Sequence, residues 1–113
     1  MKIYNSKQNK LIFGDIKIAD NLFTRTIGLI SKKSLDDGEG LLIKPCCSIH
    51  TFFMKFNIDV VFLDSKNQIL AIYENVTPFK VLPIHITACY VLELKAGEIS
   101  KSGLGVGDEI FFE

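Results

Sequence analysis

The sequence predicts a small, mainly β domain, an antiparallel β-sandwich or barrel with one or two short helices. Three observations predict this class. Apolar runs of strand length alternate with short groups of turn residues along the chain. Hydrophobic residues make up 48% of the 113 residues, enough for one well-filled core. We see no internal repeat, low-complexity tract or linker, so we expect residues 1–113 to form a single domain.

Two strands and a helix are predicted in the first half of the chain. Residues 10–18 begin the β pattern, and the alternation Ile16-Lys17-Ile18 within them indicates a half-buried strand. A helix follows, because Asp20 or Asn21 can cap its N-terminus and apolar residues then recur at helical spacing. The residues that fall on this helix face are Leu22, Phe23, Thr26, Ile27, Leu29 and Ile30. Arg25 lies beside this apolar face. Residues 41–45 form a short strand that the terminal proline should end.

The second half contributes the centre of the predicted sheet. Residues 49–64 are β-rich in composition, and residues 60–63 are apolar on both faces, which is typical of a central, covered strand. Residues 69–73 are expected to pair with that strand in an antiparallel hairpin. A short helix over residues 97–103 and a last strand over residues 109–112 complete the prediction.

The strand predicted at residues 89–94 separates two faces. Side chains alternate along a strand, so Tyr90, Leu92 and Leu94 share one face. Glu93 is therefore expected on the opposite face from this apolar row.

Charge argues against polyanionic partners. Thirteen Lys and Arg balance thirteen Asp and Glu, so no net positive field draws the protein to nucleic acid or an anionic membrane. We expect neither partner, and we expect a monomer. Polar residues interrupt the N-terminus before an export signal can form, and no segment approaches the ~20 apolar residues of a membrane span. These patterns predict a cytoplasmic protein.

Cysteine usage fits a reducing compartment. Cys46, Cys47 and Cys89 are odd in number and lack CxxC spacing, so they match neither a disulfide framework nor a common zinc signature. A zinc site would need Cys46, Cys47 and His50 together with Cys89 or His85, although adjacent cysteines point in different directions. A cysteine nucleophile would have to use His50 or His85 as its base. We predict no metal and no other cofactor.

Four polar residues stand among residues that otherwise resemble core: Arg25, His50, Asp59 and Glu93. Because buried polar groups must be paired, they predict either a structural network or a cleft with acid, base and anion-binding groups. In the structural alternative, Arg25 pairs with Glu93 between helix and sheet, and Asp59 bonds backbone amides. His50 and the adjacent Thr51 then bond a neighbouring loop.

An ordered set of motifs carries a resemblance to one family. The motifs are Arg25-Thr26-Ile27-Gly28-Leu29, Gly40-Leu41-Leu42, Ile49-His50-Thr51-Phe52-Phe53-Met54 with Ile58-Asp59-Val60-Val61-Phe62-Leu63-Asp64, Asn75 with Pro78, Tyr90-Val91-Leu92-Glu93-Leu94 with Gly97, and Gly103 with Gly107-Asp108. Over nearly the whole chain this set resembles the domain of unknown function 192 family. The resemblance implies a small, mainly β sandwich or barrel of jelly-roll type with no established activity. The family occurs in bacteria and archaea, and we expect a bacterial member.

Three functional hypotheses follow. The first is a non-enzymatic module that binds a small polar ligand, such as a sugar, through Arg25, His50, Thr51, Asp59 and Glu93. The second is a hydrolase in which His50 is the base and Asp59 orients it, which requires a hydrogen bond between their side chains. The third is a protein-interaction domain, which a large exposed apolar patch would favour.

Overall fold

The computed structural model describes residues 1–113, apart from the side chains of Leu22 and Thr26. It is mainly β, as predicted, with two short helices. The elements are β1 (Ile3–Asn5), β2 (Lys10–Phe13), β3 (Asp15–Ala19), α1 (Leu22–Ile27), β4 (Glu39–Ile43), β5 (Ile58–Leu63), β6 (Ile69–Val76), β7 (Tyr90–Lys95), α2 (Glu98–Ser102) and β8 (Ile110–Phe112).

The strands form two sheets. One has three strands in the order β2-β1-β8, and the other has five in the order β3-β4-β7-β5-β6. Neighbouring strands are antiparallel except β3 and β4, which are parallel. Over the described residues the sheets do not close into a barrel, so the sandwich alternative is the one observed.

The five-stranded sheet is covered on both faces. Residues paired across antiparallel strands point to the same face, so Val61 and its partner Leu92 share one face. That face packs with Ile3, Phe13 and Ile110 of the smaller sheet. The opposite face carries a second cluster, which consists of Leu29, Leu35, Met54, Ile58, Val60, Phe62, Val76, Leu82, Ala88 and Val91. The fold therefore has one core between the sheets and another beneath the loops.

Three details of the sheet match the sequence predictions. All six residues of β5 are buried, and the strand lies between β7 and β6. β5 and β6 form the predicted antiparallel hairpin. Along β7, Leu92 and Leu94 join the core between the sheets while Val91 joins the second core. Glu93, the neighbour of both leucines, therefore points to the loop side as predicted.

Two local predictions were wrong. Phe23 is 73% exposed rather than buried, because α1 has only six residues and ends at Gly28, whose φ of 51° breaks the helical path. The predicted burial of Leu22 and Thr26 lies outside the described residues. Residues 49–57 are turns and loops instead of strand, and Phe53 adopts a left-handed φ of 65° that interrupts an extended path. No helix among the described residues has the length and apolar character needed to cross a membrane.

Candidate functional site

A cavity of about 150 Å³ lies between the end of α1, the loop after β4 and the loop side of the five-stranded sheet. Among the described residues, five polar side chains line it: Arg25, Cys46, Ser48, His50 and Glu93. Its apolar lining includes Ile27, Leu29, Ile30, Ile43, Pro45, Ile49 and Met54. His50 is exposed whereas Glu93 is only 4% exposed, so the cavity leads from the surface to a buried carboxyl group.

Glu93 is the buried polar group of this cavity. It lies on β7, paired with Leu41 of β4 on one side and with Val60 of β5 on the other. Loss of water around the carboxyl group disfavours its charged form, and this burial raises the pKa of Glu93 to about 7. The protonated form of the carboxyl group is therefore populated near neutral pH.

The end of α1 brings the backbone next to this carboxyl group. Asn21 caps the helix, since its Oδ1 accepts a hydrogen bond from the Thr24 amide at 2.8 Å. Gly28 ends the helix at positive φ, and a Cβ placed there would lie 3.7 Å from Glu93 Oε1. A Cβ would thus be in ordinary van der Waals contact, and the positive φ is what favours glycine at this position.

Arg25 lies in the last turn of α1 and is half-buried. Its Nη1 donates to the carbonyl oxygen of Pro45 at 3.2 Å, and its Nε donates to that of Asn21 at 3.4 Å. These bonds join the helix to the loop after β4. The ion pairs of the described residues are Lys32–Glu39 and Lys95–Asp37. They do not include the direct Arg25–Glu93 ion pair that the structural alternative predicted.

Cys46 and His50 contribute the remaining titratable groups of the lining. Burial raises the pKa of the Cys46 thiol, which donates a hydrogen bond to the Ser48 carbonyl oxygen at 3.1 Å. The thiol is therefore neutral and a poor nucleophile. His50 Nδ1 accepts a hydrogen bond from the Phe52 amide at 3.3 Å, so in the neutral ring the proton is assigned to Nε2.

Thr51 is fully buried and holds two loops together. Its hydroxyl donates to the Thr77 carbonyl oxygen at 2.7 Å and accepts from the Lys80 amide at 2.9 Å. The backbones of the same loops pair as well, since the Leu82 amide donates to the Ile49 carbonyl oxygen at 3.0 Å. Thr51 lies outside the cavity lining, and its contacts position His50, its neighbour in the chain.

Asp59 is also fully buried, but on the other face of the sheet. It pairs across β5 and β7 with Leu94, which belongs to the core between the sheets. Its Oδ1 accepts from the Asn75 amide at 2.8 Å, and its Oδ2 accepts from the Gly97 and Ile99 amides at 3.0 and 3.1 Å. Asp59 therefore joins the end of β6 to the start of α2.

The arrangement required for a His50–Asp59 catalytic pair is not observed. The side-chain hydrogen bonds of the described residues include none between these two residues, and both Asp59 oxygens accept backbone amides. Among the predicted site residues, the structure brings Arg25, His50 and Glu93 to one cavity and leaves Thr51 and Asp59 outside it. The geometry gives the hydrolase alternative no support.

Sequence reasoning did not assign Gly28, Cys46, Ser48 or Met54 to the site. The glycine carried a usable signal, because Gly directly after a helical run is typical of a helix C-terminus. The others reach the cavity through the loop after β4, whose path depends on tertiary contacts. In the part of the chain that the structure describes, no group of three or more His, Cys, Asp or Glu residues is arranged to hold a metal ion.

An exposed apolar surface lies on the two loops that Thr51 joins. We call it the apolar loops; its members are Phe52, Phe53, Phe79, Val81, Ile84 and Ile86. Phe53 and Phe79 are 69% and 65% exposed, and both adopt φ of 65°, which is rare for a bulky residue. The Phe52 and His50 rings lie 5.4 Å apart, so these loops adjoin the exposed side of the cavity.

The fold and the cavity define a small β-sandwich protein with one buried carboxyl group accessible from the loop side. The chain matches the family model of the domain of unknown function 192, described as an uncharacterized ACR, over residues 3–112. It therefore belongs to this family, as the sequence motifs indicated.

Relatives named UPF0127 protein are similar over nearly the full chain. The protein from Thermococcus sibiricus is 30% identical, over 98% of this chain and 74% of its own length. UPF0127 protein PH1112 from Pyrococcus horikoshii is 32% identical, over 96% of both chains. Both organisms are archaea, so a bacterial source remains only an expectation.

A solved structure shares the fold. The crystal structure of a protein of unknown function from Novosphingobium aromaticivorans superposes with a TM-score of 0.83. The two chains are 19% identical, and the match covers 98% of this chain and 82% of the other. At this identity the likeness supports the sandwich fold alone.

Proposed function

We propose that this protein is a binding module whose cavity above Glu93 takes a small polar ligand. One observation carries the proposal: a cavity lined by Arg25 and His50 ends at the buried Glu93 carboxyl group. A carboxyl group in such a place costs folding free energy, and proteins commonly keep perturbed groups of this kind at functional sites. Arg25 and His50 add polar groups at the half-buried and exposed parts of the lining.

The size of the cavity limits the ligand. A cavity of about 150 Å³ accommodates a molecule the size of benzene, with about six non-hydrogen atoms. A pyranose sugar has roughly twice as many, so only part of it could enter a cavity of that size. The volume therefore favours a ligand smaller than a sugar.

The test is a fragment screen by protein-observed NMR. Small polar molecules of four to seven non-hydrogen atoms, a range set by the ~150 Å³ volume, are titrated into the protein, and amide shifts are mapped. We expect shifts concentrated at residues 25–30, 46–50 and 93. Blocking the cavity with Cys46→Phe should remove them, with Cys89→Phe as a control for a bulky ring at a half-buried cysteine. Shifts that persist in the Cys46 variant, or that lie elsewhere, would refute the cavity as the binding site.

A second candidate function is binding of another protein through the apolar loops. Five of their six large apolar side chains are at least 65% exposed, and the Phe53 and Phe79 rings lie 6.4 Å apart, so exposed apolar side chains adjoin across the two loops. The variants Phe53→Asn and Phe79→Asn, which remove the two exposed rings, separate the two candidate functions. Asn is chosen because it tolerates the positive φ of both positions. If the loops only form the rim of the cavity, these variants should weaken ligand binding. If the loops serve a partner, ligand binding should stay unchanged.

The cytoplasm is the compartment we infer for this function. Cys46, Cys47 and Cys89 are all free thiols, and a reducing compartment keeps thiols in that state. Cell fractionation tests the inference: the protein should be found with cytoplasmic markers, and recovery in an exported fraction would refute it.

A further inference from the structure

The cavity above Glu93 offers a cation, a buried acid and an apolar wall in one small volume. Arg25 supplies the cation, Glu93 the acid, and Leu29, Ile43 and Met54 are buried members of the wall. Building on the proposed function, we propose that the occupant is a short-chain aliphatic monocarboxylate, bound together with the proton on Glu93. The ligand carboxylate would lie between Arg25 and Glu93, and its alkyl chain against the apolar wall.

Arg25 has hydrogen-bonding capacity left for an anion. An arginine side chain carries five N–H donors, and within the described part of the chain two of those on Arg25 bond the carbonyl oxygens of Asn21 and Pro45. These two bonds also fix the direction of the guanidinium group. A guanidinium held in place recognises a carboxylate through charge-assisted hydrogen bonds, often in pairs.

Glu93 sets the condition for anion binding. In its protonated form it can donate a hydrogen bond to a ligand carboxylate, and such O–H···O⁻ bonds are short and strong. In its ionised form it would repel the same ligand, and the burial of the carboxyl group strengthens that repulsion. Because burial raises the pKa of Glu93 to about 7, the protonated form is available at physiological pH.

The groups around Glu93 favour an anion over an amine. Arg25 faces the cavity from α1, while Cys46 and His50 face it from the loop after β4. The strand neighbours on the two sides, Leu41 and Val60, are apolar. The Cys46 thiol is neutral because burial raises its pKa. An amine entering the cavity would meet the Arg25 charge, whereas a carboxylate would be attracted by it.

The apolar wall and the volume set the chain length. The wall would stabilise an alkyl chain by roughly 0.8 kcal/mol for each buried CH₂. Butyrate, with about six non-hydrogen atoms, matches the ~150 Å³ cavity, while an eight-carbon chain exceeds it. Affinity should therefore rise from acetate to butyrate and fall for octanoate.

The experiment is isothermal titration calorimetry of butyrate at pH 6 and pH 8, where butyrate stays ionised. Linkage to one proton on Glu93 predicts about tenfold weaker binding at pH 8. Glu93→Gln keeps a neutral hydrogen-bond donor and should bind equally at both pH values. Arg25→Gln should lose at least about tenfold in affinity at both, since its charge-assisted bonds are gone. Equal affinity of wild type at the two pH values would overturn the proposal.

Two control variants test whether another titrating group or another cation produces the same behaviour. His50 is the exposed imidazole of the cavity lining, so His50→Gln must keep the tenfold pH dependence if the proton resides on Glu93. Lys33→Gln, at an exposed cation outside the cavity lining, must leave the affinity unchanged. Loss of the pH dependence in the His50 variant would assign the proton to the histidine and contradict the proposal.

Butyramide separates the failure of this inference from the failure of the proposed function. It has the size of butyrate but no charge. If butyramide binds in the cavity and butyrate does not, the small-ligand function stands and the carboxylate inference is wrong. If neither molecule binds, and the fragment screen also gives no shifts at the cavity, both proposals fail.

Discussion

Asp59 and Glu93 are two buried carboxyl groups on adjacent strands, one residue apart in register, yet their surroundings differ. Asp59 faces the core between the sheets and accepts hydrogen bonds from three backbone amides. Glu93 faces the loop side and lines a cavity, where burial raises its pKa to about 7. The comparison shows that burial alone does not separate a structural carboxyl group from a candidate site. The three amides that bond Asp59 mark it as structural, whereas the cavity beside Glu93 marks that group as a candidate site.

The largest expected effect concerns the structural member of the pair. Asp59→Ala removes the acceptor of three buried amides and should lower the free energy of unfolding by about 3–5 kcal/mol. Asp59→Asn keeps the shape of the side chain but turns an NH₂ group toward amide donors. It should lower the free energy of unfolding by about 2–3 kcal/mol. Urea unfolding measures both, with the exposed Asp20→Asn as a matched control. A loss below about 1 kcal/mol for the Ala variant would contradict the structural role.

Glu93 should make stability depend on pH in the opposite sense to a paired carboxylate. Its folded pKa of about 7 exceeds the ordinary value of 4.5, so the folded state keeps a proton that the unfolded chain releases. Its contribution is therefore fully present below pH 4.5 and is lost as pH rises to about 7. Relative to Glu93→Gln, wild type should lose about 3 kcal/mol between pH 4.5 and pH 8.

Denaturant unfolding across this pH range checks the prediction. The exposed Glu74→Gln serves as the matched control and should follow wild type at every pH. Subtracting the Glu93→Gln curve removes the contributions of other titrating groups. A wild-type difference that stays flat, or that rises with pH, would mean that Glu93 is not held in its neutral form.

Much of this comparison follows from the sequence and part of it does not. The alternation along residues 89–94 correctly placed Glu93 opposite Leu92 and Leu94, because the period of a strand is a local property. The role of Asp59 depends on amides at residues 97 and 99, about 40 positions further along the chain. Such contacts are set by how α2 packs on the sheet, which no local pattern encodes.

The loop over residues 49–57 shows the same limit of prediction from local sequence. The composition of residues 49–57 predicted strand, since aromatic residues favour pleated structure. The chain instead turns at Phe53 and exposes its ring. Thr51 looked like part of a site because it adjoins His50, yet its hydroxyl bonds a second loop 26 residues later in the chain. Tertiary pairing of the two loops overrides the local preference.

Thr51 extends the comparison to a neutral buried group. Thr51→Val keeps the shape and removes the hydrogen bonds to Thr77 and Lys80, so we expect a loss of about 1–2 kcal/mol. Amide exchange at Lys80 should also become faster, because its acceptor is gone. The exposed Thr87→Val is the control. Unchanged exchange at Lys80 would contradict the prediction, because the backbone pairing of the two loops would then hold them together without the Thr51 hydroxyl.

His50 should show the smallest effect on stability. Its side chain is exposed and accepts one bond from the Phe52 amide, so His50→Ala should change the free energy of unfolding by less than ~0.5–1 kcal/mol. Thermal unfolding measures this directly. A loss of several kcal/mol would show that His50 belongs with Asp59 among the structural residues.

Protonation of Glu93 at neutral pH is tested most directly by a ¹³C NMR titration of its side-chain carboxyl in the folded protein. The structure predicts a midpoint near pH 7, because burial of the carboxyl group disfavours its charged form. The same titration in saturating butyrate should shift the midpoint upward, since the ligand binds together with the proton. A midpoint at the ordinary glutamate value of 4.5 would contradict this assignment, because the group would then be hydrated and ionised like a surface residue.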